Sequence, residues 1–225
     1  MDYQRNKKYF ESTDTLFYVG IPILIVGALL VILELAWFMF MPYQMVVGLV
    51  IAIVGAALAF IPRSMRASEK ELDAAIAAMK ENYATEVTER LGLKRSLVRG
   101  IAPTVIGDHI YKEGVMLRRG KDDRKCRSSE YSAAAILTTK DGIVVSVKTF
   151  SLIEENVTET LHEFVFSDFG GLSVRDEEYV LTDGVKIKCP KLVVTSEGKE
   201  ALALPTRHVI AVDRLCEDVN RLAGV

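Results

Sequence analysis

The side chains able to do chemistry are few and dispersed. His109, His162 and His208 lie far apart, and Cys126, Cys189 and Cys216 stand in no Cys-x-x-Cys or Cys/His spacing. Neither a metal set nor a disulfide framework is spelled out, and free thiols fit a reducing cytoplasm. HExxH, GxSxG, GxxxxGKS/T and GxGxxG are absent, and Gly170-Gly171 reads as a turn rather than a phosphate loop. The acidic groups Glu154-Glu155 and Asp176-Glu177-Glu178 sit at turns. Acid/base work by paired carboxylates needs a cleft that shifts one pKa, and with no cleft announced a solvated face is the plainer reading. Ser128-Ser129 within RKCRSSEY suits phosphorylation only as any basic loop with serines does. No catalytic residue, metal or cofactor is expected, and the chain reads as a non-enzyme.

The one concentrated feature is charge. Residues 94–127 hold 10 Lys/Arg against 4 Asp/Glu, whereas residues 1–93 hold 8 against 10 and residues 128–225 hold 10 against 16. The three segments, +6, −2 and −6, sum to the net −2 of the chain. Arg118, Arg119, Lys121, Arg124, Lys125 and Arg127 cluster around the turn signal Gly120-Lys121. Near a membrane each such cation attracts anionic headgroups by ~1 kcal/mol. The blander alternative is that the strip faces the acidic segment of its own domain. With no recognised motif and no interleaved aromatics, nucleic acid is not expected as a partner.

The elements that position this strip are organised around a long apolar stretch. Residues 16–33 carry no charge, Glu34 interrupts, the apolar run resumes over 35–41, and residues 45–61 add a second run. Roughly 20 apolar residues rising ~1.5 Å each match a hydrocarbon core ~30 Å thick, so residues 16–41 and 45–62 read as two transmembrane helices. Pro42, Tyr43 and Gln44 make the tight turn between them. Residues 1–15 form a polar tail before an apolar run too long for a signal peptide, hence an uncleaved anchor. Arg5, Lys7, Lys8, Arg63 and Arg66 flank the hairpin while its turn has no Lys or Arg, which puts both termini in the cytoplasm. Trp37, Phe38, Phe40 and Tyr43 then form the outer aromatic belt. Gly20 and Gly27 recur at seven, and Gly48, Ala52, Gly55 and Ala59 at four, three and four. Small residues let membrane helices approach closely, so these six close the hairpin on itself or serve a partner subunit. Glu34 is the only acid in the spans. An intramembrane carboxylate suggests function by default, but beside Trp37 it reaches the outer headgroups, and with Gln44 as its only polar neighbour in the hairpin a transport pathway is not expected.

Residues 63–91 carry Met65, Leu72, Ile76, Met79, Tyr83, Val87 and Leu91 at helical spacing, an amphipathic connector helix stopped by Gly92. Its stripe needs cover from the following domain, a second copy or the membrane surface. Over residues 101–131 irregular structure or a lead-in hairpin is expected. Strands follow at 134–139, 143–150, 163–167, 171–175, 179–181, 185–189, 191–195 and 201–204, with Lys140-Asp141-Gly142, Asp183-Gly184 and Glu197-Gly198 as turns. Thr206 can cap a last helix whose stripe is Val209, Val212, Leu215, Cys216, Val219 and Leu222.

The runs AAILTTKDGIVVSVKTFSL, EFVFSDFGGLSV and TRHVIAVDRLCEDVNRL, behind two membrane helices, resemble the bacterial pleckstrin-homology-like (PH-like) domains. The resemblance covers residues 130–225 and the hairpin layout. It implies a small antiparallel β-barrel or sandwich closed by a C-terminal helix, a PH-like cytoplasmic domain over residues 92–225, a bacterial plasma membrane, and a non-catalytic interaction module. The fold class expected is therefore a membrane α-hairpin plus an α+β cytoplasmic domain. Its expected function is binding of protein or anionic lipid headgroups at the cytoplasmic face, with Arg118, Arg119, Lys121, Arg124, Lys125 and Arg127 as the lipid-facing residues. The alternative is an accessory or scaffold subunit of a larger membrane complex, its partner another membrane protein or a second copy.

Overall fold

The computed structural model describes residues 1–12, 14–37, 42–121, 123–181, 184–207 and 210–225. They fall into two compact units, residues 2–68 and residues 69–225.

The first unit is helical: α1 (Tyr3–Glu11), α2 (Thr15–Trp37) and α3 (Pro42–Ser64). The polar tail is thus largely a helix, because Asp2 accepts the Arg5 N–H at 3.1 Å and caps it. The chain start is fastened to the exit of α3. Ala67 N–H donates to the Arg5 carbonyl (3.1 Å), and Arg5 Nη2 donates to the Arg66 carbonyl (3.2 Å). Arg66 Nη1 in turn reaches Ser12 Oγ (3.3 Å) and Asp14 Oδ1 (3.1 Å). Each of α2 and α3 has 23 residues and is long and apolar enough to cross a membrane. The helix boundaries differ from the expected spans. Pro42 opens α3 instead of lying in the turn, since a proline at the first helical position forfeits an N–H that has no partner there anyway. The connection falls on residues 38–41, outside the described residues, as do Phe38, Phe40 and the Trp37 side chain of the expected aromatic belt; Tyr43 is exposed.

The second unit begins with α4 (Glu69–Lys80) and α5 (Tyr83–Arg90). The single connector helix expected over residues 63–91 is therefore broken twice. One break is at residues 65–68, where Ser68-x-x-Glu71 has capping-box spacing. The other is at Asn82, which adopts a left-handed φ of 62°, a conformation asparagine tolerates better than most residues. A short 3₁₀ turn (Leu93–Arg95) leads, among the described residues, into eleven strands: β1 (Thr104–His109), β2 (Leu117–Arg119), β3 (Cys126–Ser128), β4 (Glu130–Thr138), β5 (Gly142–Ser151), β6 (Val157–Val165), β7 (Phe169–Arg175), β8 (Glu178–Val180), β9 (Lys186–Lys188), β10 (Lys191–Ser196) and β11 (Lys199–Pro205). The last helix is α6 (Ile210–Ala223); His208 and Val209 lie outside the described residues, as does Asp183 of the expected turn.

The strands form a four-stranded sheet, β1-β4-β5-β6, a three-stranded sheet, β11-β10-β7, and the hairpins β2-β3 and β8-β9. They do not close into a barrel, which corrects that half of the barrel-or-sandwich expectation. The two larger sheets share one core of Ile106, Ile136, Val145, Leu172, Leu192 and Leu204, which α6 covers with Val212, Leu215, Cys216 and Val219. Asn220 clasps α6 to β7, accepting the Leu172 N–H (2.7 Å) and donating to its carbonyl (2.9 Å). The opposite face of β4 and β5 is covered by α5, through Tyr83 and Val87 on Ala135, Leu137 and Val144. So the connector stripe is covered at α5 by the following domain. With both faces covered, β4 reads as the continuous apolar run Ala133 to Leu137 rather than an alternating one. The expected irregular lead-in instead supplies β1, the first strand of the main sheet, through six residue pairs with β4.

Candidate functional site

The basic strip folds into the β2-β3 hairpin, with Leu117 opposite Ser128, Arg118 opposite Arg127 and Arg119 opposite Cys126. Its loop is drawn tight by Gly120 N–H to the Lys125 carbonyl (2.8 Å) and Lys125 N–H to Asp123 Oδ1 (2.9 Å), and Arg124 turns the chain with a φ of 56°.

Arg127 departs from the others. It is only 2% exposed and stands at the centre of three carboxylates. Nε and Nη2 donate to Asp73 at 3.0 and 2.7 Å, the bidentate fork that a guanidinium forms with one carboxylate. Nη1 and Nη2 reach Asp123 at 3.1 and 2.8 Å, and Nη1 lies 3.6 Å from Glu69. Glu69 also accepts the Lys121 N–H at 2.7 Å. Asp73 and Asp123 raise the Arg127 pKa further, and Arg127 holds the Asp123 carboxyl well below the usual range. The hairpin is thereby bolted to α4. A Cβ on Gly120 would sit 2.5 Å from Asp123 Oδ1, 2.7 Å from Arg127 Nη1 and 2.7 Å from Glu69, so a larger residue there would have to push the side-chain ends of this cluster aside. Arg127 is therefore taken out of the expected lipid-facing set, because its charge is used internally. Arg119, Lys121, Arg124 and Lys125 are exposed and Arg118 is half-buried. Of the expected facing of basic strip and acidic segment, Lys112 with Glu130 at 2.6 Å is one instance, whereas the acids around Arg127 come from α4 and the hairpin itself.

The six small residues meet between α2 and α3. A Cβ built on Gly20 would stand 2.7 Å from the Ala59 nitrogen and 2.8 Å from the Gly55 carbonyl oxygen. On Gly27 it would lie 2.7 Å from the Gly48 oxygen and press on the Ala52 nitrogen; on Gly55 it would lie 2.9 Å from the Gly20 oxygen. The two backbones touch along this line, as small residues on facing membrane helices allow.

Two further clusters were not legible in the sequence. Tyr83 Oη lies 3.0 Å from Ser146 Oγ and donates to Glu159 at 3.0 Å, while Ser146 donates to Glu159 at 2.8 Å and Arg90 grips both oxygens of that carboxylate. Burial pushes the Tyr83 hydroxyl up to about 12, and Arg90 holds Glu159 down to about 2. Ser146 is wholly buried, so this group ties α5 to the sheet and offers no substrate a path to the hydroxyl. His109, 2% exposed, accepts the Ser128 N–H on Nδ1 at 3.1 Å, and burial pushes its pKa down to about 4. A side chain from β1 and a backbone group of β3 meet there only after folding, which is why no spacing announces the pair. His162 is half-buried and its Nε2 lies 3.2 Å from Thr160 Oγ1, an ordinary surface contact; His208 lies outside the described residues.

Among the described residues no group of His, Cys, Asp and Glu is placed to hold a metal. A groove of about 440 Å³ runs past Tyr111, Lys112, Thr149, Thr160, Tyr179 and Lys191, and both of its lysines are paired, Lys112 with Glu130 and Lys191 with Glu177 at 2.7 Å. No protein-family model, curated protein or solved structure matches the chain.

Proposed function

We propose that this chain is a two-span membrane protein that carries a PH-like, non-catalytic module on the cytoplasmic side, where the β2-β3 hairpin meets anionic lipid headgroups. The observation that carries the reading is the hairpin itself: Arg118, Arg119, Lys121, Arg124 and Lys125 project around a loop made rigid by the internal pairing of Arg127. Lys125 also pairs with Asp123 at 3.6 Å, and exposed cations contributing up to ~1 kcal/mol each near an anionic surface support a weak, salt-sensitive attachment of a domain already tethered.

A PH-like assignment is supported by the order of the main strands. Set aside the hairpins β2-β3 and β8-β9, and what remains is a four-stranded meander, a three-stranded meander and one closing helix. Two spans with the cations at their ends and none between them support a cytoplasmic location for both termini, and the likeness to bacterial domains supports a bacterial plasma membrane. The alternative, a scaffold subunit of a membrane complex, loses one support, because the small-residue faces available for docking are occupied by the contact of α2 with α3.

The test is hydrogen exchange on the full chain in nanodiscs. Amides of residues 117–128 should exchange more slowly in phosphatidylglycerol than in phosphatidylcholine, and the difference should vanish at high salt or on reversing the charges of Arg119, Lys121, Arg124 and Lys125. Identical exchange in the two lipids refutes headgroup binding.

A further inference from the structure

Between Lys148 and Arg175 the chain has no Lys or Arg but five carboxylates: Glu154, Glu155, Glu159, Glu163 and Asp168. The middle of that stretch is β6, which ends the four-stranded sheet. One edge of β6 pairs with β5 along its whole length, from Val157 opposite Phe150 to Val165 opposite Gly142, and among the described residues no strand lies on the other edge. An unpaired edge offers a row of N–H and C=O groups, and sheets ordinarily blunt such edges with charged side chains, lysine above all, with proline or with a bulge. β6 has an unbroken register and no Lys or Pro among its nine residues; its charges are the acids Glu159 and Glu163, which oppose pairing with another acidic strand but not with a basic one.

Its side chains divide by parity. Thr158, Thr160, His162 and Phe164 share the inner face with Ile143, Val145 and Val147, while Val157, Glu159, Leu161, Glu163 and Val165 share the face that α5 covers further in. Val157, Leu161 and Val165 are nonetheless 47%, 44% and 56% exposed, so α5 does not reach them. Glu159 is taken by Arg90, whereas Glu163 is exposed and has no ion partner among the described residues.

We propose that β6 is the docking edge for an extended, basic segment of a partner protein. The segment adds to the sheet as a fifth strand and sets Lys or Arg opposite Glu163 and apolar residues opposite Leu161 and its neighbours. In strand addition the main chain supplies affinity and alternate side chains supply specificity, and the acidic stretch around β6 selects a basic occupant. A second copy of β6 is the wrong occupant. The antiparallel register that matches Val157 with Val165 and Leu161 with itself sets Glu159 opposite Glu163, and like charges directly opposite are destabilising. This inference is independent of the lipid reading, which concerns the β2-β3 hairpin.

The experiment uses the full chain in zwitterionic phosphatidylcholine nanodiscs and three fluorescent peptides: one repeating Lys-Thr-Val-Thr, which sets Lys and Val by turns on one face, one repeating Glu-Thr-Val-Thr, and the Lys-Thr-Val-Thr peptide N-methylated at alternate residues so that its pairing edge cannot donate. The unmodified Lys-Thr-Val-Thr peptide should bind saturably and slow amide exchange across residues 157–165, and the other two should fail. Glu163→Lys should weaken binding roughly fivefold or more, with Glu163→Gln intermediate. Equal binding of the Lys and Glu peptides, indifference to N-methylation, protection that misses β6, or a dimer of the chain that already fills the edge would each overturn the proposal.

Discussion

Arg127 and Arg124 are three residues apart in one basic run, yet one is buried among carboxylates and the other is exposed. That difference predicts opposite mutational outcomes. Arg127→Ala leaves Asp73, Asp123 and Glu69 facing each other without their cation and should cost ~2–4 kcal/mol in denaturant unfolding of the full chain. Arg127→Lys should restore only part of this, since a point charge cannot fork onto two carboxylates. Arg124→Ala should stay within ~0.5 kcal/mol. His109 carries a pH prediction. Its folded value of about 4 lies below the ordinary 6.5, so between these values the unfolded chain binds a proton that the folded chain refuses. Its contribution is therefore full above pH 6.5 and is lost as pH falls toward 4, by at most ~3 kcal/mol. Glu159 acts in the same direction at lower pH, with its contribution present above 4.5 and lost as pH falls toward 2. Unfolding measured from pH 7 to 4 should show the loss, and His109→Gln should flatten it; a flat wild-type profile would contradict the burial account. The types of these residues are visible in the sequence, but their surroundings are not, because Arg127 finds Asp73 across 54 positions and His109 finds Ser128 across 19.

At the scale of elements, the line of Gly20, Gly27, Gly48 and Gly55 turns a spacing into a contact between backbones. Gly27→Leu should separate α2 from α3, because the new side chain meets main-chain atoms that cannot swing aside. The cost lies at the upper end of the ~1–3 kcal/mol typical of overpacking. Unfolding in graded detergent measures it, and Val26→Leu, on an exposed position, is the neutral control. Periodicity made α2, α3, α6 and the β4-β5 hairpin legible, since long apolar runs, an amphipathic stripe and Asp141-Gly142 between apolar runs are local signals. It failed at β1 and at the first half of β6. β6 is exposed on both faces over residues 157–161, so no alternation marks it, and β1 is recognisable only by its pairing with β4.

At the scale of the whole molecule, the two-span reading makes a topological prediction. Tags at Met1 and Val225 should react with a membrane-impermeant maleimide or antibody from one and the same side of the bilayer, and labelling from opposite sides would end the hairpin account. What the sequence by itself determined is whatever nearest neighbours along the chain dictate: two apolar helices, their small-residue faces, a strand-rich region and its closing amphipathic helix. Only the tertiary structure decided which cations are exposed and which are buried, that a four-stranded and a three-stranded sheet share one core without closing, and that β6 has no strand on its second edge among the described residues. The physical reason is range. Apolar periodicity and turn chemistry act within a few residues, whereas the partner of a charge or of a strand edge is chosen by whatever the folded chain brings beside it.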